Sequence, residues 1–138
     1  MSLNKNRLKH YAAKVKSADV GLQRNLIARL AGVTFDSRQQ FIEQVSNDTP
    51  IRLERDRRNK FDFHAVGVWA NIAPDTWVHV GFIPRAMSKL ISRSLDNGIE
   101  LSAVVHRRTG GMLNEETNEV LNYGLEIRMS PPSDKIKE

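Results

Sequence analysis

Apolar and polar side chains alternate strictly near the end of the chain, in a segment that spans about residues 119–129. Leu121, Tyr123, Leu125, Ile127 and Met129 occupy one set of positions, and polar residues or glycine occupy the positions between them. Successive side chains of a β-strand point to opposite faces, so the pattern predicts a strand with one buried and one solvated face. Prolines follow at 131 and 132. Because proline has no backbone N–H to donate a hydrogen bond to a neighbouring strand, these residues end the strand.

Five other short segments have the composition of strands, and turn sequences separate them. Two of these turns are Ala73-Pro74-Asp75 and the glycine pair Gly110-Gly111. The predicted strands lie at about residues 25–35, 51–55, 64–71, 77–83 and 99–108.

Two helices are predicted between these strands. The first covers about residues 38–46 and is expected to be capped by Asp36 or Ser37, because each is followed three places on by a glutamine. The second begins at Pro84 and ends at Gly98. Its expected buried stripe consists of Met87, Leu90, Ile91 and Leu95. Short strands with two isolated helices favour a barrel over a parallel α/β sheet. The sequence therefore predicts a mainly β (α+β) fold: a small six-stranded OB-like barrel with two helices.

Composition limits the class of protein. A chain of 138 residues with 40% apolar content suits one domain with a real core. It contains no cysteine, which excludes disulfides and thiolate metal sites. No apolar run approaches the ~20 residues of a membrane span, and the N-terminus lacks a signal-peptide segment. We therefore expect a cytoplasmic protein with no membrane partner, associated with the nucleoid if the host is bacterial.

Positive charge is concentrated at the N-terminus. Residues 1–31 hold seven basic side chains and one acidic side chain, whereas the remaining 107 residues hold 14 basic and 15 acidic ones. This asymmetry suggests a polyanionic partner, nucleic acid ahead of membrane, although a solubilising tail would have the same composition. We expect three parts: a basic arm over 1–24 that includes a short helix at about 4–16, the barrel over 25–130, and a loose tail over 131–138.

Three motifs within residues 32–111 resemble the HIRAN domain, the module at the N-terminus of the helicase-like transcription factor. The segment from Leu53 reads LERDRRNKFDFHAVGV and is similar to the family pattern L-x-R-(E/D)-P-x-N-x-(Y/F)-D-x-N-A-(I/V)-x-V. The segments GVTF, at 32–35, and VGFIP, at 80–84, match the flanking motifs. Arg57 stands in place of the usual proline, His64 in place of the usual asparagine, and Thr34 where a family member has an arginine.

The resemblance implies a modified oligonucleotide-binding barrel that grips the 3′ end of single-stranded DNA. By position, Phe35 and Phe61 would stack on terminal bases, and Asp62 would accept a hydrogen bond from the 3′-hydroxyl. Phe82 would be a further pocket residue, and Arg85 would contact a phosphate. The implied setting is DNA repair, replication or the DNA metabolism of a mobile element. A helicase or a nuclease on a separate chain is the implied protein partner.

Two basic clusters adjoin these positions. Arg85, Lys89 and Arg93 lie four residues apart and would form one row on the second helix. Arg57, Arg58 and Lys60 lie in the loop that carries Phe61. We expect both clusters to contact DNA phosphates, although such runs also occur as plain solvated faces.

Two other classes of function stay open at this stage. A protein-interaction module could hold a peptide in the barrel groove, using Trp69 and Trp77. A metal-dependent nuclease is less favoured, because His64, His79 and His106 show no recognisable ligand spacing with the carboxylates at 115, 116 and 119. The sequence predicts no enzyme, no metal and no cofactor.

Overall fold

The computed structural model of the chain describes residues 21–132. These residues form a mainly β fold with two helices, as the sequence predicts. Helix α1 spans Arg38–Ile42 and helix α2 spans Arg85–Asp96. The strands are β1 (Leu26–Arg29), β2 (Ile51–Arg55), β3 (Val66–Ala73), β4 (Thr76–Phe82), β5 (Ser102–Thr109), β6 (Leu113–Asn114), β7 (Glu119–Val120) and β8 (Gly124–Ser130).

All pairings within these residues are antiparallel, in two three-stranded sheets and one short ribbon. The first sheet has the order β1-β8-β5 and the second has the order β2-β3-β4, while β6 pairs with β7. The alternation that predicts β8 is realised there: Leu125, Ile127 and Met129 are fully buried. Ile127 lies opposite Ala28 on one side and Val105 on the other, so the apolar face of β8 lies at the centre of the core.

A single pair of backbone hydrogen bonds joins the two sheets at one corner. The Ala31 N–H donates to the Phe82 oxygen at 2.8 Å, and the Phe82 N–H donates to the Ala31 oxygen at 2.9 Å. At the opposite corner, no ladder joins β2 to β5 among the residues that the structure describes. The predicted barrel is therefore not closed.

The strand predicted over 119–129 is divided, because a ribbon is inserted between β5 and β8. Gly110 and Gly111 adopt φ values of 80° and 77°, which residues other than glycine rarely adopt. A Cβ at Gly111 would also lie 2.3 Å from the Tyr123 ring. The chain therefore leaves the main sheet at these glycines, forms β6 and β7, and returns at Tyr123. Eight strands result within residues 21–132 instead of the predicted six.

The first predicted strand is shorter than expected because Gly32, inside its predicted range, has a φ of 70°, and helix α1 ends at Ile42 rather than near residue 46. Asp36 and Ser37 have φ values of 53° and 64°, and neither side chain caps α1 in the predicted way. Gln39 secures the helix instead. Its Nε2 donates to the carbonyl oxygens of Val33 and Tyr123, both at 2.9 Å, and its Oε1 accepts from the Tyr123 N–H at 2.7 Å.

Helix α2 has a more polar inner face than its apolar stripe predicts. Ile91 is fully buried and Leu90 is 37% exposed, so the prediction that Leu90 belongs to the core is wrong. Ser88, Ser92 and Ser94 are buried in its place. Small hydroxyl side chains suit this face because it packs against polar loop atoms, as the next section describes.

The predicted helix at 4–16 and the tail from residue 133 lie outside the described residues. Leu22, which falls within the stretch expected to be an arm, is 2% exposed, and its N–H donates to the Ser94 Oγ at 2.8 Å.

Candidate nucleic-acid interface

A cleft of about 640 Å³ opens where the two sheets are joined. One wall comes from the segment between β1 and α1, the other from the loop between β2 and β3, and the start of α2 closes one end. Five of the ten residues that the sequence predicts for DNA binding line this cleft: Phe35, Phe61, Asp62, Phe82 and Arg85. They come from four separate parts of the chain, so the fold brings them together.

The loop over 56–65 is held in shape by its own polar side chains. The Asn59 Oδ1 accepts the backbone N–H groups of both Phe61 and Asp62 at 2.9 Å. Asn59 also donates to the Asp56 carboxylate at 3.3 Å, and the Asp56 N–H donates to the Ala65 oxygen at 2.9 Å, which closes the loop at its base. Because amide and carboxylate groups tie the backbone locally, the loop does not need Phe61 in its core.

The aromatic rings of the two walls are exposed. Phe61 is 87% exposed and Phe35 is 66% exposed, although both line the cleft. Large apolar rings left in water at a cleft mark a binding surface when they occur together. Phe82 lies half-buried between them and makes an edge contact with His79, at 4.7 Å between ring centroids.

Asp62 connects the loop to helix α2. One carboxylate oxygen accepts the Ser88 hydroxyl at 2.8 Å, and the other accepts the His64 N–H at 2.9 Å. Partial desolvation raises the pKa of Asp62. The hydrogen bonds from Ser88 and His64 and the positive charge of Arg85 outweigh that effect, so the pKa lies below its ordinary value. The carboxylate is therefore ionised at neutral pH, and it lies in the wall of the cleft.

Acidification should reveal how much the ionised Asp62 carboxylate contributes to the stability of the fold. A depressed folded-state pKa stabilises the fold above the unfolded pKa of ~4, and that stabilisation is lost as the pH falls through the folded value. We expect the free energy of unfolding in urea to fall more steeply below pH ~4 in the wild type than in Asp62→Asn. Ser88→Ala should lessen the steepness in part, because one hydrogen bond to the carboxylate is removed. Identical acid profiles for all three proteins would contradict this reading of Asp62.

Arg38 is a cleft residue that the sequence analysis does not identify. Its side chain is 7% exposed, and its Nη1 donates to the Gly32 oxygen at 2.6 Å. Its Nη2 lies 3.2 Å from His79 Nδ1 and 3.4 Å from the exposed carboxylate of Asp36. The guanidinium carbon lies 5.2 Å from the centre of the Phe82 ring, which is within cation–π range. The cleft lining thus contains a buried positive charge in addition to Arg85.

The environment of His79 shows the effect of that charge. Burial and the nearby Arg38 guanidinium both lower the pKa of His79 below its ordinary value. The imidazole is therefore neutral at pH 7, stacked on Trp69 at 5.0 Å between centroids. Its ring contacts with Trp69 and Phe82 therefore hold the imidazole in place in the β2-β3-β4 sheet.

The other predicted contact residues lie outside the cleft. Arg57 donates to Asp96 at 2.7 Å, and Arg55 bonds the same carboxylate oxygen at 3.1 Å, so both hold the loop to the end of α2. Arg58, Lys60 and Lys89 are exposed, and Arg93 is half-buried on α2. Of the predicted row on α2, Arg85 alone lines the cleft.

The three departures from the family pattern have distinct structural consequences. Thr34 is exposed and does not line the cleft, so it makes no contribution there. Arg57, in the proline position, forms the ion pair with Asp96. His64, in the asparagine position, is half-buried, and its Nδ1 lies 3.3 Å from the Ser92 Oγ.

Comparison with known families identifies the fold. The sequence matches the HIRAN domain over residues 24–122. The chain belongs to the HIRAN domain family. HIRAN domains are DNA-binding modules rather than catalytic ones, so the coarse prediction of a nucleic-acid partner is confirmed at the level of the family.

Two solved structures share the fold. The HIRAN domain of human HLTF is 18% identical, with a TM-score of 0.51, over 85% of this chain and 84% of that one. A structural-genomics target protein from Lactobacillus plantarum is 17% identical, with a TM-score of 0.52, over 78% of this chain and 95% of that one. A search of curated proteins gives no significant match.

Two further features concern other classes of function. Within residues 21–132, no three histidine or acidic side chains come close enough together to hold a metal ion. Over the same residues, neither helix is long and apolar enough to cross a membrane.

Proposed function

We propose that this HIRAN domain binds single-stranded DNA and recognises its free 3′-hydroxyl end in the cleft. The observation that carries the proposal is the pair of exposed rings, Phe35 and Phe61, on opposite walls of a cleft that also contains an ionised carboxylate. HIRAN domains bind DNA in general, and this domain would in addition distinguish a 3′-hydroxyl end from other chain ends.

The two phenylalanines provide stacking surfaces that do not depend on sequence. Every base has a π face, and one base stacked on an aromatic ring contributes about 1–3 kcal/mol. Single-stranded bases are free to stack in this way, whereas bases inside a duplex are already stacked on each other. The cleft volume of about 640 Å³ is in the range of small-molecule sites, which suits a short terminal segment of a strand.

Asp62 supplies the discrimination between chain ends. A carboxylate has about four acceptor positions, and the Ser88 hydroxyl and the His64 N–H occupy two of them. A 3′-hydroxyl could donate to a remaining position. A 3′-phosphate has no suitable donor at neutral pH and would place a second negative charge beside the first, which costs binding free energy.

Two positive side chains in the cleft lining suit the phosphates of the last nucleotides. Arg85 is exposed at the start of α2, a helix whose first turn contains no acidic residue. The partial positive charge of the helix N-terminus adds to that of Arg85. Arg38 is the second positive group in the cleft lining, so we assign these two arginines to successive phosphates. A helicase or nuclease on a separate chain, in repair or replication, remains the partner that the proposal implies.

The protein-interaction alternative is supported by a different groove. Within residues 21–132 the outer edges of β2 and β5 are unpaired, and they flank a cavity of about 400 Å³ whose lining includes Ile51, Leu53, Leu95, Leu101 and Ala103. An apolar groove between free strand edges could accept an extended peptide. Binding to such a groove would depend little on salt, whereas DNA binding should weaken steeply as salt increases.

The end chemistry of a short oligonucleotide tests the proposal directly. We expect an oligonucleotide with a 3′-hydroxyl to bind at least 10-fold more tightly than the same sequence with a 3′-phosphate, since hydrogen bonds to charged groups contribute about 1.5–3 kcal/mol. Asp62→Asn should reduce that ratio, while Ser88→Ala should keep it, because the carboxylate remains. Fluorescence anisotropy measures both affinities. Equal affinity for the two ends in the wild type would leave only general single-strand binding.

A further inference from the structure

A second aromatic surface lies on the solvent-facing side of the β2-β3-β4 sheet, next to the cleft. Its members are Trp69, Trp77, His79 and Phe82, and we name it the aromatic face. All four side chains are half-buried, so part of each ring is accessible. Soluble domains seldom leave so many rings together on one sheet face without a ligand.

The register of the sheet explains why these rings share one side. Residues opposite each other in an antiparallel pair point to the same face. Trp69 lies opposite His79, and Gly67 lies opposite Phe82, with a register shift after Val68. On the other edge, Gly67 lies opposite Glu54, so that carboxylate belongs to the same face.

Gly67 is buried beneath the rings of this face. A Cβ at this position would lie 3.2 Å from His79 Nε2, which is tighter than an ordinary contact, and 3.4 Å from Trp69 Nε1, so the glycine lets both rings lie against the backbone. A second cleft of about 310 Å³ occupies the region and is lined by Glu54, Gly67, Trp69, His79 and Phe82, among others. Phe82 lines both clefts, so the second adjoins the first.

We propose that the DNA strand continues from the cleft across the aromatic face, where the second cleft, which we name the slot, receives a further base. This inference rests on the proposed function, and it adds a binding site that the 3′-terminal contacts do not use. The occupant follows from the position of Phe82 in the lining of both clefts: a strand with its end at Phe35 and Phe61 lies next to Trp69 and His79. Stacked rings are the platform that single-stranded bases need.

The charged side chains around the slot favour the base of a nucleotide over its phosphate. Glu54, Asp56 and Arg55 line it, and the Arg55 guanidinium is bound to Asp96 and to the Ala65 oxygen. The two carboxylates leave the lining net negative, which disfavours a phosphate. The Asp56 oxygens already accept from the Arg58 N–H and the Asn59 amide, whereas Glu54 is 57% exposed and has only a long contact to Arg52 at 4.0 Å. Glu54 can therefore accept a hydrogen bond from an exocyclic amino group. Cytosine carries such a group and thymine does not, so the slot favours cytosine over thymine.

Oligonucleotides of different length distinguish binding at the slot from binding at the cleft between Phe35 and Phe61. We expect an octanucleotide of thymidine with a 3′-hydroxyl to bind at least about 5-fold more tightly than the trinucleotide, because one more stacked base is gained. Trp69→Ala should remove this gain and leave the trinucleotide affinity unchanged. Phe63→Ala is the matched control, since Phe63 is 80% exposed and lines neither cleft.

Intrinsic fluorescence provides a second readout that does not depend on affinity. Trp69 and Trp77 are the two tryptophans of the chain, so Trp77→Phe leaves Trp69 as the sole indole and keeps an aromatic ring at 77. The octanucleotide should quench Trp69, and the trinucleotide should not. A cytidine octamer should bind more tightly than the thymidine octamer by about 5-fold or more, and Glu54→Ala should remove that preference.

The outcomes distinguish the two proposals. Equal affinities for the trinucleotide and the octanucleotide, with no quenching of Trp69, would overturn the second site and leave the end-binding cleft intact. Failure of both lengths to bind would overturn the proposed function itself.

Discussion

Replacing Phe35 and Phe61 together by alanine should reduce the affinity for single-stranded DNA by roughly 30-fold or more. Each ring is expected to contribute about 1–3 kcal/mol through one stacked base, so each single variant should lose about 5-fold to 150-fold. The loss should be similar for different sequences, because stacking does not read base edges. Anisotropy titrations with matched oligonucleotides measure these ratios.

Stability should respond differently from binding in the same variants. Both rings are mostly exposed, and the loop that carries Phe61 is held by Asn59 and Asp56 rather than by the ring. Surface substitutions of this kind change the free energy of unfolding by only about 0.5 kcal/mol. Phe63→Ala removes an equally exposed ring two residues away that does not line the cleft, and it should bind like the wild type. A double variant that binds normally, or one that fails to fold, would contradict the stacking role.

Local sequence patterns predict much of this fold because they report on single elements. The alternation in β8, the turn before β4 and the start of α2 at Pro84 are all local signals, and the structure agrees with each. The turn at Pro74 and Asp75 becomes a tight hairpin, with Asp75 at a φ of 57°. The gathering of Phe35, Phe61 and Phe82 at one cleft follows from the family motif, which already encodes the tertiary arrangement.

Features that depend on distant contacts were not predictable in the same way. Arg38 is buried by partners six and 41 residues away, and nothing in its own neighbourhood distinguishes it from a solvated helix residue. The polar inner face of α2 depends on Asp62 and His64, which lie on a loop 26 and 28 residues earlier. Periodicity assigns Leu90 to the core because it registers apolar side chains and takes no account of the groups that a helix packs against.

The open corner between β2 and β5 has a similar origin. Strand number and turn spacing are compatible with a closed barrel and with two sheets joined at one corner. Which one forms depends on whether the last pair of edges comes within hydrogen-bonding distance. Here the end of α2 and the segment over 98–101 line the gap between those edges, together with Ile51 and Leu53.

Arg38→Met should weaken DNA binding by about 10-fold to 150-fold, if the buried guanidinium holds a phosphate as proposed. Charge-assisted hydrogen bonds contribute about 1.5–3 kcal/mol, and the apolar replacement fills much of the same volume without the charge. The slope of log affinity against log salt should become flatter by about 0.7, the value for one phosphate contact on a single strand. The loss should be uniform across sequences, since phosphate contacts do not read bases.

Asp36→Asn is the matched partner of this variant. Asp36 is the acidic residue that faces Arg38 at 3.4 Å, and its side chain is 83% exposed. Asparagine tolerates the left-handed backbone at this position, so the exchange removes a charge without adding strain. Removing a carboxylate that competes for the guanidinium should raise the affinity, in the direction opposite to Arg38→Met.

His79 reports whether a phosphate actually reaches Arg38. Its pKa is lowered by burial and by the Arg38 charge, so a bound phosphate that offsets this charge should raise it. An NMR titration of the imidazole with and without a 3′-hydroxyl oligonucleotide measures the shift. A purely structural Arg38 would leave the His79 pKa unchanged on binding. A folded Arg38→Met protein with wild-type affinity and an unchanged salt slope would remove Arg38 from the interface.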